Sequence, residues 1–228
     1  MVPGGGWAAL TASGGMRLLP IPDDVASGVG GSTTDAASFN TASLTLVAGQ
    51  PCYVAVSSHN ATAANQPTVT GAGLTWTAEK SITLSSGARR MTVFSGCGAT
   101  SAGALTIDFA GTTQTAINWI VIQFTAAAAA GYTVQVPNGT TTASGTSLAG
   151  PTLAAFEHVN NAHLAFFMTS LNAAITPDGS FTELADTNQT GNNVSLECQW
   201  ARNALTCTST FSSAAAACIS LEVKAGLG

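Results

Sequence analysis

The sequence predicts an all-β protein made of two related antiparallel β-sandwich units with jelly-roll-like character, preceded by an extended N-terminal arm. Short runs of β-branched and aromatic residues alternate with clusters of glycine, asparagine and serine, which is typical of sandwiches and barrels. A long amphipathic helical pattern is absent. Strand-like runs also recur in the same order in both halves of the 228-residue chain, which indicates an internal duplication.

Composition divides the chain into an arm (1–42), a first unit (43–125), a bridge (126–150) and a second unit (151–228). The arm is rich in glycine, proline, serine and alanine, so it cannot bury enough apolar surface to form its own core. Its apolar stretch, residues 16–22, contains prolines and is expected to be extended. It should lie on the rest of the chain, on a neighbouring subunit or on a larger assembly. The expected partner-contacting residues are Trp7, Met16, Leu18, Leu19 and Ile21.

In the first unit, strands are predicted wherever apolar runs stand between turn residues. The predicted strands are residues 52–56, 68–70, 74–78, 82–84, 90–95, 105–109 and 117–124. Turns at 71–73, 85–87 and 111–113 separate several of these strands, because glycine and serine suit tight turns. Residues 118–124 are apolar at nearly every position, which predicts a central strand.

The second unit repeats these runs. They fall at residues 163–167, 179–182, 194–198, 204–207 and 218–223. Trp76 and Phe181 hold matching places in the two units, and repeated aromatic positions in a duplicated fold are expected in the core. The bridge contains five consecutive alanines, too few for a stable helix. It is either a linker between two sandwiches or the long crossover of one duplicated sandwich.

The composition narrows the function classes. Charged residues are 7% of the chain and the net charge is −5, so hydroxyl and amide groups supply much of the polar surface. Such a surface suits contact with other proteins, because burying a hydroxyl that finds a partner costs far less than burying a charge. Six basic residues are too few to neutralise a nucleic-acid backbone. No 18-residue apolar run and no secretory signal pattern occur, so we expect no membrane span and folding in the cytoplasm.

The five cysteines match no zinc-binding spacing. They are Cys52, Cys97, Cys198, Cys207 and Cys218. The favoured interpretation is free, buried thiols that pack as small apolar side chains. A disulfide between Cys198 and Cys207 across a hairpin is the alternative.

Motifs for chemistry are absent from the sequence. There is no nucleophile elbow, calcium loop or phosphate loop. The histidines His59, His158 and His163 are predicted at the surface or at strand ends, without an acid and a nucleophile beside them. Glu183 and Asp186 are predicted at a strand end and the following turn, so the paired carboxylates of a glycosidase are not expected. We therefore expect no enzymatic activity, no cofactor and no metal.

A family resemblance adds a function. Residues 69–77 (Val-Thr-Gly-Ala-Gly-Leu-Thr-Trp-Thr), with the strands at 90–94 and 119–124, resemble β-sandwich modules in virion accessory proteins of tailed bacteriophages and related gene-transfer particles. Those modules include capsid decoration, head-fibre and tail-tip proteins. The resemblance covers residues 43–224 and carries over no catalytic residues. It implies a homo-oligomeric structural protein, assembled in the host cytoplasm and attached to other virion proteins of the capsid or tail.

The alternative function is a carbohydrate-binding module, or a phage adhesin that recognises host surface glycans. Strands similar to residues 73–76 also occur in bacterial surface and carbohydrate-binding domains. This function predicts exposed aromatic side chains in a groove, and Trp119 and Trp200 would be the platform if they face solvent. A place in the core or in a protein interface is the favoured interpretation for both.

Overall fold

The computed structural model describes residues 18–190 and 193–227, which form fourteen strands and one 3₁₀ turn. All ladders between the strands are antiparallel, so the all-β antiparallel prediction is confirmed. The elements are β1 (Ile21–Ser32), β2 (Ser38–Asn40), β3 (Cys52–His59), β4 (Thr68–Gly71), β5 (Thr77–Leu84), the 3₁₀ turn (Ser85–Gly87), β6 (Arg89–Gly96), β7 (Leu105–Asp108), β8 (Ala116–Thr125), β9 (Thr140–Ala149), β10 (Ala162–Thr169), β11 (Thr176–Pro177), β12 (Thr182–Gln189), β13 (Val194–Arg202) and β14 (Thr208–Val223).

The described strands form three sheets. A five-stranded sheet has the order β1-β8-β3-β6-β5, and a three-stranded sheet has the order β2-β7-β4. A six-stranded sheet has the order β11-β14-β10-β13-β12, with β9 also paired to β14. The sheets make two sandwich-like bodies. In the first body the three-stranded sheet covers the outer face of the five-stranded sheet. In the second body β9, the start of β14 and nearby loops cover the outer face of the six-stranded sheet.

The two bodies share the largest apolar core. This shared core joins Phe124 of the five-stranded sheet to Leu164 and Phe166 of the six-stranded sheet. Side chains alternate between the two faces of a strand, so the intervening Ala165 and Phe167 of β10 point away from the shared core. They lie in a separate apolar cluster between the six-stranded sheet and its outer cover, which is named the outer cluster of the second body. The five-stranded and six-stranded sheets therefore pack face to face, with both of their faces buried.

Some predicted strands are confirmed, and others have different bounds or are loops. β8 lies between β1 and β3 and is buried at nine of its ten positions, which confirms the predicted central strand. Residues 74–78 and 82–84 were expected to be two strands, but they contribute to the single strand β5. Gly71 and Gly73 have positive φ and form a turn. Leu74 follows this turn and packs between the three-stranded and five-stranded sheets, in what is named the outer cluster of the first body. Residues 204–207 are a loop before β14.

Residues 21–40 of the glycine-rich arm belong to the first body. β1 pairs with β8, and β2 pairs with β7. Glycine is required where β1 crosses the indole of Trp119, because a Cβ atom at Gly30 would lie 2.7 Å from a ring carbon of Trp119. This part of the arm therefore adds to a core that other strands supply. Trp7 and Met16 lie outside the described residues.

The bridge runs along β14, on the side opposite β10. Thr133 pairs with Val223, and Ala127 pairs with Ala225. β9 continues this pairing along the rest of β14. The chain therefore passes from the first body to the second by forming the edge of the six-stranded sheet.

The two bodies have the same strand order. It is β8-β3-β6-β5 in the first and β14-β10-β13-β12 in the second. The edge strand of each hairpin carries a bulge, at Glu79 in β5 and at Leu184 in β12. Trp76 and Phe181 stand at the same distance before these bulges, and Phe181 is buried while Trp76 is half-buried.

Candidate functional site

One end of the molecule carries most of the exposed apolar side chains. The chain enters this end at Leu18, whose amide donates to the carbonyl oxygen of Gly226 (2.9 Å). The first and last described residues therefore lie side by side, where β8 and β14 end. This surface is named the apolar end. Its exposed side chains are Leu18, Ile21, Val47, Val159, Leu205 and Leu227.

Strand register places these side chains at the same end. Ile21 pairs with the last residue of β8. The side chain of Gln123, near the end of β8, accepts from the amide of Val47 (3.0 Å) and donates to its carbonyl (2.9 Å). In the second body, Val159 precedes β10 and Leu205 follows β13, and these two strand ends pair with each other. The end is thus built from both bodies.

Of the five predicted partner-contacting residues, three lie within the described part of the chain. Leu18 and Ile21 are 41% and 49% exposed at the apolar end, and Leu19 beside them is half-buried. Sequence reasoning missed the other four members of the apolar end. Val47, Val159 and Leu205 stand in loops and Leu227 is the last described residue, and nothing in the neighbouring sequence distinguishes them from core residues.

A second candidate site lies under the outer cover of the six-stranded sheet. Glu197 and Gln199 project from the same face of β13, and Asp186 pairs with Glu197 across the ladder to β12. The side chains of Glu197 and Gln199 are fully buried. Among the described residues, both carboxylate oxygens of Glu197, both side-chain polar atoms of Gln199 and Oδ1 of Asp186 have no hydrogen-bond partner. This polar group is therefore costly to bury.

Burial and mutual repulsion shift the pKa values of these acids. Burial, followed by the charges of Glu183 and Asp186, raises the pKa of Glu197 well above its usual range. Burial, followed by the charge of Glu183, raises the pKa of Asp186 to about 6. The prediction that Glu183 and Asp186 occupy a strand end and a turn is wrong, because both lie within β12. The sequence could not reveal that β12 places them opposite another acid.

Two thiols meet in the same buried layer. The Sγ atoms of Cys207 and Cys218 are 4.0 Å apart, and Oγ of Ser220 lies 3.4 Å from the first and 3.7 Å from the second. His163 lies beside them and is fully buried. It is the second residue of β10, so its predicted place at a strand end is confirmed and only the surface alternative is wrong. Its Nδ1 lies 2.8 Å from the carbonyl oxygen of Ala204.

The neighbours of the thiols act on them in opposite directions. The hydrogen bond from Cys218 lowers the pKa of Cys207, burial opposes this effect, and His163 and Ser220 lower it further. Burial raises the pKa of Cys218 well above its usual range, and Cys207 adds to that rise. Cys198 points into the shared core on the opposite face of the sheet. The alternative disulfide between Cys198 and Cys207 is therefore wrong.

No protein-family model, curated protein or solved structure matches this chain. Within residues 18–190 and 193–227, no helix is both long and apolar enough to cross a membrane. The same residues contain no group of three or more histidines, cysteines, aspartates or glutamates arranged to hold a metal ion.

Trp119 and Trp200 do not form an exposed platform. Trp119 is 7% exposed and lies beneath β1. Trp200 is half-buried and packs against the shared core. Trp76 is also half-buried, and its indole N–H donates to the carbonyl oxygen of Gly71 (3.2 Å). The condition for a sugar platform, that Trp119 and Trp200 face solvent, is therefore not met.

Proposed function

We propose that this chain is a non-enzymatic structural protein of a tailed-phage virion, attached to the capsid or tail as a decoration, fibre or tail component. The main observation in support of this proposal is the apolar end. It holds six of the seven exposed large apolar side chains among the described residues, at the point where the N-terminal segment joins the fold. Exposed apolar side chains gathered on one surface are typical of protein contact sites.

The chemistry of the surface favours a protein as the partner. An ion pair joins Lys224 and Glu157 (3.4 Å). With only 7% charged residues, the apolar end would gain affinity from apolar burial and hydrogen bonding. Its partners are other virion proteins and further copies of this chain.

We also infer that the two bodies are duplicated jelly-roll-like units. The common strand order supports this inference, and so do two corresponding polar residues. Gln123 lies opposite Cys52, the first residue of β3, and holds Val47 of the preceding loop. Glu222 lies opposite His163, the second residue of β10, and accepts from Asn161 of the loop before that strand (2.5 Å).

Peptide mass spectrometry of density-purified particles from the source culture tests attachment to the virion. We expect this chain to sediment with the particles, in proportion to their other structural proteins. Particles that contain those proteins but lack this chain would contradict the proposal.

The structure sets the boundary for testing the N-terminal segment. Removing residues 1–40 would delete β1 and β2, so the truncation must end at residue 17. We expect the 18–228 chain to keep its β-sheet circular dichroism and to lose both particle attachment and the oligomer seen by light scattering. Ile21→Ser should weaken both. Val29→Ser is the matched control, because Val29 is similarly exposed (45%) but pairs with Ile120 within β8. Undiminished attachment of the 18–228 chain and of Ile21→Ser would overturn the assignment of this surface.

The alternative function, a carbohydrate-binding module or adhesin, depends on Trp76. Its ring is partly exposed and its N–H is held by Gly71, so one face could stack on a sugar. Binding on a glycan array that disappears in Trp76→Phe or Trp76→Ala, together with a monomeric chain, would favour this alternative.

A further inference from the structure

We propose that Cys207 and Cys218 form a peroxide-sensitive thiol pair that closes to a disulfide in the folded protein. The two thiols are separated by ten residues that form the start of β14, and they face each other in the outer cluster of the second body. This modification does not depend on the proposed virion function.

The geometry places the two sulfur atoms in van der Waals contact. They are 4.0 Å apart, and a disulfide bond needs about 2.05 Å. Rotation of the two side chains and a small adjustment of the backbone would cover this difference. Gly150 provides room beside the pair, because a Cβ atom there would lie 2.8 Å from Sγ of Cys218. Any other residue would press on the sulfur atoms.

The surrounding side chains assign the two thiols different roles. The contact with Cys218 and the neighbouring His163 lower the pKa of Cys207, whereas burial raises the pKa of Cys218, so Cys207 is the sulfur that forms a thiolate more readily. Nδ1 of His163 is held by the carbonyl of Ala204, and Nε2 has no hydrogen-bond partner. A carbonyl oxygen can only accept, so Nδ1 carries the ring proton, and the unprotonated Nε2 is the nitrogen that takes the proton of Cys207 when the two side chains approach. Cys218, whose proton is held more tightly, is the resolving thiol.

The reaction balances with one hydrogen peroxide as the oxidant. Cys207 transfers its proton to His163, and the thiolate attacks one peroxide oxygen. The O–O bond breaks, the sulfur becomes a sulfenic acid, and the departing hydroxide takes the proton from His163 to form water. Sγ of Cys218 then attacks Sγ of Cys207. The S–O bond breaks, and the hydroxyl leaves with the proton of Cys218 as a second water. The two thiols together lose two electrons, and one hydrogen peroxide gains them and becomes two waters.

Access to the buried pair runs through β9. The amide of Gly150, directly after β9, donates to the carbonyl of Cys207 (2.9 Å), so this segment covers the thiols. β9 pairs only with β14 and buries a single residue, Leu148. Its register with β14 is interrupted twice. An edge strand that buries so little side-chain surface opens more easily than the whole fold, and peroxide is small enough to use such an opening.

The test uses the full-length chain with Cys97→Ser, because Cys97 is the more exposed thiol. The folded, reduced protein is treated with hydrogen peroxide and then with a thiol-blocking reagent. We expect a mass lower by two hydrogen atoms, two blocked thiols instead of four, and a peptide cross-linked between Cys207 and Cys218. The midpoint of thermal unfolding should rise after oxidation and return to its first value after reduction.

Variants show whether this pair is responsible. Cys207→Ser and Cys218→Ser should each lose the cross-link and the rise of the midpoint. Cys198→Ser is the matched control, because Cys198 is equally buried on the opposite face of the sheet, and it should keep both. Lack of a cross-link in the folded wild-type pair would overturn the proposal, as would a cross-link that forms only in urea. Oxidation of Cys207 to a sulfinic acid without cross-linking would overturn it too.

Discussion

Replacing Phe166 by alanine should destabilise the first body, although Phe166 belongs to the second. Its side chain is fully buried in the core that the two bodies share. A Phe→Ala change at such a position removes apolar contacts and leaves a cavity, which costs about 3–5 kcal/mol. For a chain of this length the urea dependence of the unfolding free energy is about 3 kcal/mol per molar. The urea midpoint should therefore fall by about 1 to 2 M.

Tryptophan fluorescence separates the two bodies. In a background that carries both Trp7→Phe and Trp200→Phe, Trp76 and Trp119 are the two remaining tryptophans and report on the first body, while far-UV circular dichroism reports on both. We expect Phe166→Ala to lower the fluorescence midpoint by the stated amount. Phe167→Ala removes the same side chain from the opposite face of β10, so it should shift the first-body signal by no more than Phe166→Ala does. An unchanged fluorescence midpoint in Phe166→Ala would refute the shared core.

Two further predictions concern single side chains. The pKa of Glu197 is raised in the fold, so the stability it contributes is complete below its unfolded value of about 4.5 and is lost as pH rises through the folded value. Glu197→Gln should therefore flatten the dependence of the urea midpoint on pH above about 4.5, and an unchanged slope would contradict this. Gly30→Ala places a Cβ against the ring of Trp119 and should lower stability by about 1–3 kcal/mol. Gly179→Ala, where a Cβ meets nothing within 4 Å, should leave the thermal midpoint unchanged.

Much of the fold could be predicted because the relevant patterns are local. The continuous apolar runs of β8 and β10 are each typical of a strand that is buried on both faces. β1 escaped prediction as part of the sandwich because its glycines have no apolar pattern, and Gly30 is required by the ring of Trp119 rather than by neighbouring residues. The candidate site was less predictable. Leu18 and Ile21 were recognised in the arm, but the arm does not show which loops of the second body join them.

The sequence by itself determined the all-β class, the position of most strands and the low-charge surface, since each depends on composition or on the spacing of nearby residues. Only the tertiary structure decided that the sheets of the two halves face each other. A strand that is apolar on both faces has the same pattern whichever sheet covers it. Likewise, only the bend of β14 brings Cys207 to Cys218, because contacts between distant residues leave no spacing that a sequence can show.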